Sequence, residues 1–229
     1  MNGELVRNGD AYAVRFERRL AHRIEKVWRA VSEAEELRRW FPDGGVEIDL
    51  TVGGKVRFAA EGWDPDDDLV PREGTVTALD PPRLLEFTWG EDPLRFELTP
   101  DGDGCVLVFT QTFAGKAAAS RLAAGWTVCL ANLDAALDGG TAEPGDWFPL
   151  YERYAKEFGD EPTIDHEGVV RVERVVARPK AEVETMLRDD DVTRYRLIPA
   201  GDRTIVLATS TGGDDGSGDQ LKERIERLN

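Results

Sequence analysis

The spacing of apolar and polar residues at the start of the chain predicts a strand followed by two helices. Between residues 11 and 20 apolar and charged side chains alternate, which is the period of a strand with one buried face. From residue 24 to residue 31 the apolar positions recur at helical spacing. Ser32 and Glu35 then form the pattern of a capping box, which predicts a second helix that Pro42 ends.

Residues 45–113 predict six further strands, because short alternating runs are separated by turn signals such as Gly53-Gly54 and Asp80-Pro81-Pro82. Strands joined by such short turns pair with their neighbours, so the sheet is antiparallel and seven strands wide with the first. A sheet with one apolar face must bury that face against another element, which would cover it. Residues 117–137 supply one, since Leu122, Trp126, Leu130 and Leu133 form one stripe of a long helix. The predicted fold class is α+β.

A repeat divides the chain. The run from Val14 to Arg18 recurs 156 residues later as the run from Val170 to Arg174, and Thr110-Gln111-Thr112 corresponds to Thr209-Ser210-Thr211. Chance likeness of two amphipathic segments is the alternative. The prediction is a main domain over residues 11–140, a connecting helix and linker over 141–166, and a truncated repeat of β-α-β-β-α order over 167–229. That repeat has a small apolar core, so we expect it to dock on the first domain or to form a homodimer with a second copy.

Charge and composition narrow the range of partners. The net charge is −16, from 45 acidic against 29 basic residues, which repels a phosphate backbone and argues against nucleic acid. Cys105 and Cys129 have no metal-ligand or disulfide spacing. No stretch of eighteen apolar residues and no apolar leader occurs, so we expect no membrane span and a cytoplasmic location.

Four segments resemble the Aha-type branch of the SRPBCC superfamily, which includes START and birch-pollen-allergen-like domains. They are Val27–Phe41, Gly53–Phe58, Asp80–Trp89 and Gly125–Leu137, and the resemblance covers about Ala11 to Leu137. It implies a helix-grip fold, in which the sheet wraps around the long helix and leaves a cavity, and a stand-alone member that binds a small apolar molecule. Chaperone activators of this branch carry a further N-terminal domain, and only ten residues precede the first strand here, so we do not expect chaperone contact.

The implied cavity would be lined by inward residues of the strands and the long helix. The predicted ligand-binding residues are Arg18, Trp40, Phe58, Trp89, Phe96, Phe109, Gln111, Phe113, Trp126 and Leu130. The alternative is that the apolar ones only fill a core. Arg18 marks a ligand carboxylate or hydroxyl, or it pairs with Glu86, or a β-bulge turns it to solvent.

Catalysis has little support in the sequence. His22 and His166 lie outside inward-facing apolar segments, so we expect no catalytic residue. An aromatase/cyclase-type enzyme that uses Arg18 and Glu86 is one alternative, and a chaperone cofactor or protein-interaction module with an exposed apolar patch is the other. The acidic run with Asp64, Asp66, Asp67 and Asp68 lacks the glycine and glutamate of a calcium loop. We therefore expect no metal and no cofactor.

Overall fold

The structure is a computed structural model that describes residues 3–41, 45–59, 72–141, 147–159, 163–164, 170–187, 194–200, 202–210 and 217–228. The chain forms two compact units. The first comprises Met1–Ala114 with Arg121–Leu150, and the second comprises Gly115–Ser120 with Tyr151–Asn229.

The first unit is built on one antiparallel sheet in the order β1-β2-β8-β7-β6-β5-β4-β3. Its strands are β1 (Glu4–Asn8), β2 (Ala11–Leu20), β3 (Val46–Ile48), β4 (Lys55–Phe58), β5 (Glu73–Asp80), β6 (Leu84–Trp89), β7 (Asp92–Asp101) and β8 (Gly104–Ala114). Its helices include α1 (Ile24–Ser32), α2 (Ala34–Leu37) and most of α3 (Ala119–Leu137). A large antiparallel sheet and a long helix fit the helix-grip class that the sequence predicted.

The sheet has eight strands where the sequence predicted seven. The additional strand is β1, which pairs with β2 at the sheet edge across a two-residue turn whose Gly9 has φ +62°. Its short run of mixed polarity has no clear alternation, so its pairing rather than its pattern defines it. The predicted capping box is wrong as well, because Ser32 is the last residue of α1 and donates its hydroxyl to the Trp28 carbonyl.

Helix α3 lies against the inner face of the sheet. Trp126, Leu130 and Leu133 are buried as predicted, whereas Leu122 is only half-buried. The far end of α3 is held by Lys26 of α1, whose ammonium donates to the Leu137 carbonyl at 2.5 Å. Among the described residues, no helix is long and apolar enough to cross a membrane.

The second unit has its own sheet, in the order β11-β12-β10-β9. Its elements are β9 (Thr163–Ile164), β10 (Val170–Val176), α5 (Lys180–Leu187), β11 (Arg194–Ala200), β12 (Arg203–Ser210) and α6 (Ser217–Glu226), besides the part of α4 (Phe148–Phe158) from Tyr151 onward. An aliphatic core joins the strands to α5 and α6, and its buried members are Val170, Val172, Val176, Val183, Leu187, Val206, Ala208, Leu221, Ile225 and Leu228.

Candidate functional site

The interior of the first unit is lined by aromatic rings that contact one another. We call them the aromatic cluster: Phe16, Trp40, Phe41, Phe58, Phe87, Trp89, Phe96, Phe109 and Trp126. Strand alternation directs the sheet members to one face, and the helical spacing of α3 places Trp126 against them. The rings of the cluster therefore form one connected series of contacts in the interior between the sheet and α3.

The tightest ring contact joins the helix to the sheet. Phe109 and Trp126 have centroids 4.2 Å apart, and Phe96 lies 4.9 Å from Phe109 on the other side. At the other end of the cluster Phe58 and Trp89 stack at 4.8 Å. Trp89 is half-buried, whereas Trp126 is only 4% exposed. Trp89 thus lies at the rim of the cluster and Trp126 at its centre.

Six of the ten residues that the sequence predicted belong to this cluster. Phe113 and Leu130 are buried as well, on the inner sides of β8 and α3. Sequence reasoning had not included Phe16, Phe41 and Phe87 in the site. Phe16 and Phe41 did carry the signal, since both stand at apolar positions of their predicted elements, and Phe87 stands two residues before Trp89 on the same face. The ten residues are brought together, but ligand contact by them stays a prediction.

Gln111 joins the cluster to the surface through two hydrogen bonds. Its carbonyl accepts from the Trp126 indole at 2.5 Å, and its amide donates to Asp92 at 3.0 Å. Burial raises the pKa of Asp92, an effect that the Gln111 hydrogen bond and the Arg121 charge oppose. Asp92 was missed because the sequence placed it within a predicted turn, Gly90-Glu91-Asp92-Pro93. Only the register of β7 against β8 brings it beside Gln111.

Arg18 extends from β2 toward the helix and pairs with Asp134 of α3. Arg18 is 9% exposed, and its Nη1 lies 3.1 Å from Asp134 Oδ2. Burial raises the pKa of Asp134, and the Arg18 charge opposes that rise. Arg18 Nε and Asp134 Oδ1 are also buried, and neither has a hydrogen-bond partner among the described residues. Asp134 was missed although it stands four residues after Leu130, on the predicted stripe of the helix.

The sequence offered two alternatives to a ligand-binding role for Arg18, a pair with Glu86 and a β-bulge, and both are wrong. Glu86 does not pair with it, because Glu86 accepts from Arg95 at 3.0 Å and from Thr77 at 2.8 Å on the outer face of the sheet. Nor does a bulge turn Arg18 outward, since β2 and β8 pair without interruption and Arg18 stands opposite Leu107. Glu86, the carboxylate that the cyclase alternative named as an example, therefore does not face the interior.

The other candidate groups that the sequence singled out are the histidines and the acidic run. His22 lies 2.9 Å from the exposed Asp138 at the end of α3. Within the described ranges, no group of three or more His, Cys, Asp or Glu residues could hold a metal ion. His166 and the acidic run from Asp64 to Asp68 lie outside the described residues.

The sheet, the helix on its inner face and the apolar interior define a helix-grip protein of the SRPBCC type. The family described as "Activator of Hsp90 ATPase homolog 1-like protein" matches residues 21–138, just over half of the chain, and the protein belongs to this family. The sequence resemblance to the Aha-type branch is thereby confirmed.

Solved structures give the same class of fold. A conserved protein of unknown function from Enterococcus faecalis is 22% identical, with a TM-score of 0.57 over 68% of this chain and 89% of its own. The crystal structure of CalU16 from Micromonospora echinospora is 17% identical, with a TM-score of 0.52 over 69% of this chain and 92% of its own. At these identities the likeness shows the fold alone. No curated protein matches the chain in sequence.

Proposed function

We propose that the protein binds a small apolar molecule between α3 and the inner face of the first sheet, without catalysis and in the cytoplasm. The observation that supports this most is the aromatic cluster. Ligand sites are lined mainly by apolar and aromatic side chains with a few polar groups, and this interior combines nine rings with the inward polar groups of Arg18 and Gln111.

Binding requires some rings of the cluster to separate, and contacts with the ligand then replace the ring contacts that are lost. Most of the pairs are tilted or edge-on rather than stacked, for example Phe41 against Trp126 at 5.5 Å. A flat apolar ligand that enters between two rings replaces one aromatic contact by two, so the interaction lost on separation is regained. Trp89 is half-buried at the rim, and we therefore expect it to move first.

The test uses N-phenyl-1-naphthylamine, a neutral apolar fluorophore. We expect saturable binding with one site per chain, accompanied by quenching of tryptophan fluorescence. Trp89→Leu should weaken that binding about tenfold, because it removes the rim ring that stacks on Phe58. Trp28→Phe is the matched control, since Trp28 lies on α1 outside the cluster, and its affinity should equal that of the wild type.

Two results would contradict the proposal. One is the absence of saturable binding to the native protein. The other is binding that both Trp89→Leu and Phe58→Leu leave unchanged, which would mean that the probe occupies another surface. Native mass spectrometry of protein purified from its own host adds an independent measurement, because a retained apolar molecule supports the proposal directly.

A further inference from the structure

We propose that the Arg18–Asp134 pair is the polar end of this ligand site, and that it recognises a neutral group that both donates and accepts a hydrogen bond, namely a hydroxyl or a primary amide. The inference rests on the proposed function and deepens it by naming the chemical class of the ligand. It follows from the position of the pair, from its two unused atoms and from its charge.

The pair lies on the same inner wall as the aromatic cluster. Arg18 stands on β2 two residues after Phe16, a member of the cluster, and faces the same side of the sheet. Asp134 follows Trp126 by eight residues on α3, which is about two helical turns, or roughly 12 Å. A molecule lying along α3 would therefore have rings around one end and this ion pair at the other.

The pair leaves one donor and one acceptor unused. A guanidinium and a carboxylate can form two parallel hydrogen bonds, but here the described contact is the single bond from Arg18 Nη1 to Asp134 Oδ2. The Arg18 Nε–H and Asp134 Oδ1 are both buried without a partner among the described residues. A buried polar group without a partner costs about 1–3 kcal/mol, so a ligand that satisfies both atoms gains affinity.

The charges of the pair select the kind of polar group. Asp134 neutralises Arg18, so a ligand carboxylate would meet a repelling carboxylate and could not donate to Oδ1. An ammonium group could donate to Oδ1 but could not accept from Nε–H. A hydroxyl or a primary amide does both. The neighbouring His22 lies 2.9 Å from Asp138, and Lys26 donates to the Leu137 carbonyl at the end of α3.

Gln111 does not compete for this role. Its carbonyl is bonded to the Trp126 indole and its amide to Asp92. It lies at the same end of the interior as the ring of Trp126, away from Asp134 along α3. By contrast, Arg18 Nε and Asp134 Oδ1 are buried side-chain atoms that have no hydrogen-bond partner among the described residues.

The experiment compares four probes of one ring system: naphthalene, 2-naphthol, 2-naphthamide and 2-naphthoate. Affinities for the full chain are measured at pH 7 by quenching of tryptophan fluorescence. We expect 2-naphthol and 2-naphthamide to bind about tenfold more tightly than naphthalene, which is the effect of one or two satisfied buried groups. We expect 2-naphthoate to bind no more tightly than naphthalene.

Substitutions then assign the preference to the pair. Asp134→Asn leaves the Arg18 charge without its carboxylate, so 2-naphthoate should gain about tenfold while naphthalene is unchanged. Arg18→Lys keeps the charge but removes the Nε donor, and should reduce the preference for 2-naphthol over naphthalene. The matched control is Arg19→Lys, because Arg19 forms the same kind of pair with Asp101 at 2.8 Å but on the exposed side.

The outcomes separate this inference from the proposed function. If naphthalene binds and 2-naphthol binds equally, the inference is overturned while the apolar site stands. A preference for 2-naphthol that Asp134→Asn and Arg18→Lys leave unaltered overturns it as well. If none of the four probes binds, the proposed function fails and the inference fails with it. Should Arg18→Lys not fold, the wild-type series and Asp134→Asn still decide.

Discussion

Strand β2 and helix α1 of the first unit have counterparts in β10 and α5 of the second unit, with similar backbone pairing but different neighbouring side chains. Helix α1 begins at Ile24 and α5 begins at Lys180, 156 residues later, which is the offset of the sequence repeat. The backbone bonds that start the two helices match as well. Val27 N–H donates to the Arg23 carbonyl, and Val183 N–H donates to the Pro179 carbonyl.

The pairing of the strands follows the residue correspondences of both repeated segments. Val14 of β2 stands opposite Gln111 of β8, and their counterparts Val170 and Ser210 stand opposite each other in the second unit. A shift of one residue in either pairing would turn the apolar side chains of that strand to the other face of the sheet. The two strand pairs therefore share their register as well as their sequence pattern. The truncated second copy stays a prediction, and this agreement supports it.

The two units differ in what surrounds their buried arginine. Arg18 reaches Asp134, the sixteenth residue of α3, whereas α6 has only ten residues. Arg174 donates instead to the carbonyl of Glu173 at 2.7 Å and bonds to the Tyr151 hydroxyl. The core cluster around β10, β12, α5 and α6 is aliphatic, whereas the interior of the first unit is aromatic. A similar pairing of strand and helix thus accompanies an aromatic interior in one unit and an aliphatic core cluster in the other.

The largest effect that tests this comparison is the loss of the central ring. Trp126→Ala should lower the free energy of unfolding of the first unit by about 3–5 kcal/mol, because it removes a buried aromatic side chain and leaves the Gln111 carbonyl unpaired. Ile225→Ala on α6 is the counterpart in the second unit, where the range for a buried aliphatic is about 2–5 kcal/mol. Both are measured by urea denaturation. A loss below 1 kcal/mol at Trp126 would contradict the central place of that ring.

The second effect is the removal of each buried arginine. Arg18→Met should cost about 1–3 kcal/mol, less than for a fully buried pair because the Asp134 side chain is 39% exposed and can be hydrated. Arg18→Met combined with Asp134→Leu should recover much of that loss. Arg174→Met is the matched change in the second unit. It removes a donor to the neutral Glu173 carbonyl, a weaker bond than one between two charged groups, so it should cost less than Arg18→Met. Equal losses at the two positions, with no recovery in the double variant, would show that the pair has no special role.

Period-two alternation was enough to predict which strand residues face inward, because burial of one sheet face fixes the side of every second residue. It placed Arg18 and Gln111 on the inner side correctly. It could not identify their partners, since those depend on helix position and strand register. Asp134 lies across the interior on α3, and Asp92 is brought to Gln111 only by the pairing of β7 with β8.

The same limit explains the incorrect assignment of Glu86. A charged residue in an alternating strand was a plausible partner for Arg18, but Glu86 stands on β6, which is three strands away from β2, and points to the outer face. Sequence order gives the number of strands between two residues only when the topology is known. The additional strand β1 was missed for a related reason, because its place at the edge depends on pairing with β2.

The third effect concerns the Tyr151 hydroxyl, which bonds to the buried arginine of the second unit. The Tyr151 hydroxyl accepts from the Val175 amide at 3.3 Å and bonds to Arg174. Tyr151→Phe removes both bonds with little change of shape, so we expect a loss of about 1 kcal/mol. Probe affinity in the first unit should not change. A drop in that affinity would show that the two interiors are not independent, and the comparison would have to be revised.

The smallest effect is a pH dependence at Asp92, the surface end of the Trp126–Gln111 chain. Burial raises the pKa of Asp92 above its ordinary value of 3.8, so the native state holds that proton more tightly than the unfolded state does. The wild type therefore loses stability as the pH rises from about 3.8 through the raised pKa. Asp92→Asn, which can still accept from Gln111, has no such loss. It should be more stable than the wild type at pH 7 by less than about 1 kcal/mol, because solvent screens a part-buried carboxylate.

Thermal melts at pH 7 and pH 4 measure this difference in stability, and the advantage of the variant should shrink at pH 4. The exposed Asp10→Asn is the control. An advantage that is independent of pH, or that grows toward pH 4, would mean that burial does not govern this carboxyl group.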